Sequence, residues 1–231
     1  MAELSDAVGS ERISRIIGYK IKAADFRISS PNLPQRIAVI GQANTANQGT
    51  LDTDAKQATS LKQVGEDYGF GSPIYQAYRI LKPQSGDGVG GIPIFVYPQA
   101  AAGGATSKIV EITPSGTATA NATHTVLIGG RSNVDAQFYD IAIEEGDTAA
   151  DITAKISDAV NAVLGAPVLA SDTDYVAELE TKWKDLTANE LSVSVDTNGN
   201  DAGITYAVDV TQAGSGTPSI SGALDQFGNI W

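Results

Sequence analysis

Two short apolar runs with a doubly specified helix start between them constrain this chain more than any other feature. Arg36-Ile37-Ala38-Val39-Ile40-Gly41 is an apolar stretch closed by glycine, the pattern of a buried strand in an α/β unit. Ile92-Pro93-Ile94-Phe95-Val96-Tyr97 has the same character. Between them, Ser72-Pro73 opens a helix through residue 81. The serine hydroxyl accepts from a free backbone N–H, and proline at the first helical position loses no hydrogen bond. Lys82-Pro83 stops that helix, and a weaker one over residues 60–68 closes at Gly69. Residues 42–56 read as a polar loop. Strand, helix, strand in this order predicts a right-handed crossover with the two strands parallel.

From Ser107 the composition turns to Thr, Val, Ile, Ala and Asp, and strands are predicted over residues 109–113, 124–129 and 139–143. One helix follows. Thr148 and Asp151 stand at capping-box spacing, and Ile152, Ile156, Val160 and Val163 fall on one face. Residues 191–195 and 204–210 flank Asn198-Gly199, a pair suited to the positive φ angles of a tight hairpin. This β-rich module ends near Gly214, and a weak amphipathic helix begins around residues 222–227.

The 231 residues hold no cysteine and a single histidine, which removes disulfides, thiolate zinc sites, cysteine nucleophiles and most imidazole chemistry. The net charge of −12 is uneven. Residues 1–36 carry six Lys/Arg against four Asp/Glu, whereas residues 105–231 carry five against eighteen. So acidic a second half repels phosphate backbones, and direct nucleic-acid binding by it is not expected. No run approaches the length of a membrane span, and residues 1–18 lack the apolar core of a signal peptide, so the expectation is a chain made and used in a cytoplasm.

Upstream of the first body strand, Ile17, Tyr19 and Ile21 alternate with Lys20 and Lys22, as in one short half-exposed strand. It has no hairpin partner nearby. Such a strand needs another sheet, in its own body or in a neighbouring subunit. Ser29-Ser30-Pro31-Asn32-Leu33-Pro34 then reads as extended chain, because each proline excludes its predecessor from helical geometry.

Three segments, in this order, carry a resemblance. The first is Leu33-Pro34-Gln35-Arg36-Ile37-Ala38-Val39-Ile40-Gly41-Gln42. Next come Gly69-Phe70-Gly71-Ser72 and the helix through Ala77, Tyr78 and Arg79. The third is Gly129-Gly130-Arg131, followed by Gly146-Asp147-Thr148-Ala149-Ala150 with Ile152, Ile156 and Val160. Together they resemble the phage Mu-like branch of the contractile tail sheath proteins, over essentially the whole chain. The resemblance implies an α+β fold: an extended N-terminal arm (1–33), an incomplete α/β body (34–104, resuming at 215–231) and an inserted β-rich, sandwich-like domain with one helix (105–214). Family members continue past this point, so the chain is expected to be truncated. The implied function is mechanical. Subunits stack as hexameric rings around a tail tube, linked by arms, and contract to drive the tube through a host envelope during genome delivery. The implied partners are other sheath subunits, the tube protein, the baseplate and the tail terminator, in a virion assembled in the host cytoplasm. No catalytic, cofactor-binding or metal residue is implied.

Four features compete with that reading. The loop Gly86-Asp87-Gly88-Val89-Gly90-Gly91 is glycine-rich, but it follows a helix and precedes a strand, the reverse of a phosphate-binding loop. Asp196-Thr197-Asn198-Gly199-Asn200-Asp201 begins like a calcium loop, yet Asp201 stands where glycine is required and Ala207 where the bidentate glutamate belongs. His124 has no second histidine or cysteine to assist it and reads as an ordinary strand residue. Glu144, Glu145 and Asp147 cluster near a helix start, where carboxylates favour the positive end of the helix dipole. Two rival functions remain: a surface-binding or adhesion module, and a hydrolase working with paired carboxylates in a concave pocket.

Overall fold

A computed structural model of the chain describes residues 35–86, 88–131 and 136–230, and the described residues from Arg36 onward form one compact unit. The arm expected over residues 1–33, its strand at Ile17, Tyr19 and Ile21, and Trp231 lie outside the described residues. The fold is α+β, with ten strands and four α-helices among those described.

The first part is a three-stranded sheet in the order β1-β3-β2, where β1 is Ile37–Gln42, β2 is Lys56–Ala58 and β3 is Ile94–Gln99. As the crossover pattern requires, β1 runs parallel to β3, with Ile37 opposite Ile94 and Gln42 opposite Gln99. Both connecting helices start where the sequence directs. Ser60 caps α1 (Leu61–Tyr68) by accepting from the Gln63 N–H, and Ser72 caps α2 (Pro73–Leu81) by accepting from the Tyr75 N–H. Val64 and Tyr68 of α1, with Ile74 and Tyr78 of α2, pack onto Val39, Ile94 and Val96. The segment expected to be a polar loop differs. Residues Thr45–Thr50 form a 3₁₀ helix, and β2 pairs antiparallel with β3 through Lys56 opposite Val96. With three residues, and Ala58 alone buried among them, β2 has too little apolar alternation to register in sequence.

The second part has two sheets around a larger core. One has the order β10-β4-β8-β7, with β4 Ile109–Ser115, β7 Val168–Thr173, β8 Val176–Thr181 and β10 Thr205–Gln212. The other has the order β6-β5-β9, with β5 Ala122–Gly129, β6 Gln137–Ile143 and β9 Ser192–Asp196. The capping box of α3 (Ala149–Asn161) is complete: Thr148 accepts from the Asp151 N–H, and the Asp151 carboxylate accepts from the Thr148 N–H. Ile152, Ile156 and Val160 of α3 are fully buried in the core that both sheets share.

Two expectations are corrected. Val163 does not extend the apolar face of α3: the helix ends at Asn161 and Val163 is 41% exposed. Nor do β9 and β10 form a hairpin. Asn198 (φ 52°) and Gly199 (φ 81°) do take positive φ, and the Asn200 N–H reaches the Thr197 carbonyl at 3.0 Å, as in a type I′ turn. However, β9 pairs with β5 while β10 pairs with β4, so the turn is part of a corner between sheets. Eight residues separate β9 from β10, and Asn198 spends its side-chain amide on the Thr123 carbonyl and the Thr125 hydroxyl of β5. The β7–β8 hairpin escaped the sequence reading because β7 breaks the alternation, with Leu169 exposed on its outer face and Asp172 in register with buried Ala177 on its inner one.

Candidate functional site

The residues singled out by sequence do not converge on a reaction centre. His124 is fully buried on β5, with Nδ1 2.6 Å from the Tyr206 hydroxyl and Nε2 2.9 Å from the Asn200 carbonyl. A carbonyl only accepts, so Nε2 carries the hydrogen and, in the neutral ring, the Tyr206 hydroxyl donates to Nδ1. Both nitrogens are committed to tying β5 to β10 and the 197–204 corner. Burial pushes the Tyr206 phenol up to about 12.

In the calcium-like loop the acids serve the backbone. Asp196 accepts from the Asn198 N–H at 2.8 Å and Asp201 from the Gly203 N–H at 2.9 Å. In the acidic cluster, Asp147 accepts from the Glu144 N–H at 2.7 Å and pairs with Lys155 at 2.6 Å, which fixes the turn leading into α3. The glycine-rich loop follows the C-terminal end of α2, where the Val89 N–H satisfies the Leu81 carbonyl. That is the negative end of the helix, unsuited to phosphate. No group of three or more metal-ligating side chains occurs among the described residues. A recess of about 180 Å³ gathers Asp52, Glu66 and Asp67, but Asp52 pairs with Lys56 and Glu66 with Lys62. The Lys56 hydrogen bond holds the Asp52 carboxyl below its usual range, the opposite of what a general acid needs.

What the structure does bring together are the segments 41–45, 69–72 and 129–131, which meet on the strip Lys182-Trp183-Lys184-Asp185. With its side-chain amide assigned so that oxygen and nitrogen each meet a compatible partner, Gln42 donates to Asp185 Oδ2 at 2.8 Å and to the Lys184 carbonyl at 3.0 Å. The Thr45 N–H donates to the Lys182 carbonyl at 2.7 Å. Lys182 Nζ reaches the Phe70 and Leu164 carbonyls at 3.4 and 3.3 Å, and desolvation lowers its pKa. The Arg131 guanidinium lies 4.5 Å from the centroid of the fully buried Trp183 ring. Buried Asp185 also accepts from the Thr187 and Ala188 N–H groups and so starts the 3₁₀ helix Leu186–Glu190.

Glycine is required at two of these positions. Gly71 has φ 82°, and a Cβ there would run into the Ala166 carbonyl; Gly130 has φ 129°, and a Cβ would strike the Glu190 carbonyl. Gln76 adds a further tie, donating to the Gly165 carbonyl at 2.7 Å. The two cores are therefore joined by polar contacts through Gln42, Thr45, Gln76 and Lys182. Beside the junction, a cleft of about 430 Å³ is lined by Asn44, Thr45, Ala46, Leu169, Glu180, Thr181 and Lys182. Sequence reasoning singled out the glycine motifs but missed the 182–185 strip, which has no periodicity of its own. A tryptophan between two lysines was the available signal.

No protein-family profile matches the chain, and no curated protein matches it either. Among solved structures it is similar to the D2–D3 domains of the flagellar cap protein FliD from Escherichia coli, at 22% identity and a TM-score of 0.35. That match covers 48% of this chain and 62% of the FliD chain. The similarity is too low for any functional argument.

Proposed function

We propose that the chain is a structural subunit of a filament-associated assembly, and specifically of a contractile tail sheath of the Mu-like kind, without catalytic activity. The observation carrying this reading is the junction on Lys182–Asp185. Parts of the three segments that resemble sheath proteins supply it, through Gln42, Phe70 with Gly71, and Gly130 with Arg131. They act as mechanical couplings and not as reagents. A stiff body suits a subunit that transmits force between two packings of a polymer.

The partners are then other copies of the chain around a tail tube, with the baseplate and the tail terminator at its ends, in a virion assembled in the host cytoplasm. Charge supports an outward position for the β-rich part. On its four-stranded sheet Asp209 lies opposite Glu111, and Glu111 opposite Glu178, a row of three carboxylates across neighbouring strands. Identical copies stacked through that face would repel one another.

The direct test is assembly. Deleting residues 1–33 from the complete protein is expected to abolish polymer formation around the tube while the circular-dichroism spectrum of the remaining body is kept. Normal polymers from the deleted chain would overturn the proposal.

A further inference from the structure

We infer that the Asn198-Gly199 turn is a site of spontaneous self-modification, at which the Asn198 side chain converts to a carboxylate and releases the inter-sheet corner from β5. Asn198-Gly199 is the single Asn-Gly pair in the sequence. Both residues are exposed, and nothing lies within 4 Å of the position a Cβ would occupy on Gly199. The Gly199 N–H makes no hydrogen bond among the described residues. That nitrogen is thus held by no acceptor among the described residues and can lose its proton to water.

The chemistry needs no partner beyond water. The deprotonated Gly199 nitrogen attacks Asn198 Cγ and forms an N–C bond. The Cγ–Nδ2 bond then breaks, and the amide nitrogen leaves as ammonia after taking up a proton. Water adds across either carbonyl of the resulting five-membered imide. One opening yields aspartate at position 198; the other yields isoaspartate, in which the main chain runs through the former side chain. Nothing is oxidised or reduced.

The structural consequence follows from what Asn198 holds. Its Nδ2 donates to the Thr123 carbonyl at 2.9 Å and to Thr125 Oγ1 at 3.0 Å. A carboxylate cannot donate, and it would face the Thr123 carbonyl with like partial charge. Isoaspartate also adds a methylene to the main chain and so breaks the turn closed by the Asn200 N–H on Thr197. The adjacent Asn200 carbonyl is the acceptor for His124, so the corner and the histidine clamp loosen together.

The test ages the full 231-residue chain at mildly alkaline pH and follows each asparagine by peptide mass mapping. Position 198 is expected to gain the amide-to-acid mass increment several-fold faster than Asn189 and Asn200 in the same molecules. G199A should slow it, since a methyl group obstructs ring closure. If G199A does not fold, the comparison with Asn189 and Asn200 in the unaltered chain still decides. Hydrogen exchange on the aged protein, with N198D as a second sample, is expected to show the Asn200 amide losing protection. Modification at 198 no faster than at Asn189 and Asn200, or unchanged exchange at Asn200 after modification, overturns the inference.

Discussion

The His124 ring and the Tyr206 hydroxyl meet 2.6 Å apart inside the larger core, one from each sheet, with their rings edge to face at 5.5 Å. Y206F deletes the donor and leaves Nδ1 buried without a partner. An unsatisfied buried polar group costs about 1–3 kcal/mol, so the urea midpoint of Y206F is expected to fall accordingly. A double-mutant cycle with H124A should return a coupling well above zero. Additive effects would mean that the contact does not join the sheets energetically.

Alkaline pH tests both cores. Burial pushes the Tyr68 and Tyr206 phenols up to about 12 from the ordinary 10. The folded state therefore retains these protons where the unfolded chain has lost them. Their contribution is complete below about pH 10 and is lost as pH rises through about 12. Unfolding titrations should show stability falling across that window, with a shallower fall in Y206F. A flat profile would contradict the burial of both rings.

Asn161 guards an exposed edge. Its amide accepts from the Ala170 N–H at 3.0 Å and donates to the Ala170 carbonyl at 2.8 Å, which occupies two groups that a new strand on β7 would use. Edge strands left open invite intermolecular pairing. N161A is expected to increase self-association in sedimentation velocity while lowering monomer stability by only about 1 kcal/mol. A strictly unchanged sedimentation profile would show that the edge is protected by other means.

The junction can be probed with one methyl group. G71A introduces a Cβ against the Ala166 carbonyl at φ 82°, whereas G103A places one in open space. The positive φ alone costs alanine about 1–2 kcal/mol, and the clash adds to it. G71A should lower the thermal midpoint clearly and raise hydrogen exchange at Gln76 and Lys182, whose amides lie beside the affected contacts. G103A should leave both near their starting values. Equal behaviour of the two variants would contradict a tightly packed joint.

Much of the fold was legible where local chemistry decides it. Ser60, Ser72 and the Thr148–Asp151 box each specify a helix start without help from the rest of the chain, and the apolar runs at 37–41 and 94–97 specify paired strands. The missed features depend on partners distant in sequence. β2 exists because β3 offers it an edge, and exposed Leu169 with inward-facing Asp172 obscures the alternation of β7. The Asn198-Gly199 turn was read correctly as a conformation and wrongly as a hairpin. Positive φ sets the local bend, while β5 and β4, some seventy or more residues upstream, set where the flanking strands go. The junction was invisible as a site for the same reason, since the tertiary fold brings Gln42, Phe70 and Arg131 to Lys182–Asp185 from distant points in the sequence.

The most direct measurement is electron microscopy of contractile-tail particles assembled with the complete sheath protein, labelled with an antibody to residues 105–214. The account predicts label along the whole outer wall of the tail, in a regular repeat that widens laterally and shortens axially on contraction. Particles with an unlabelled sheath, or label confined to the tube or to a tail tip, would contradict the assignment as a sheath subunit.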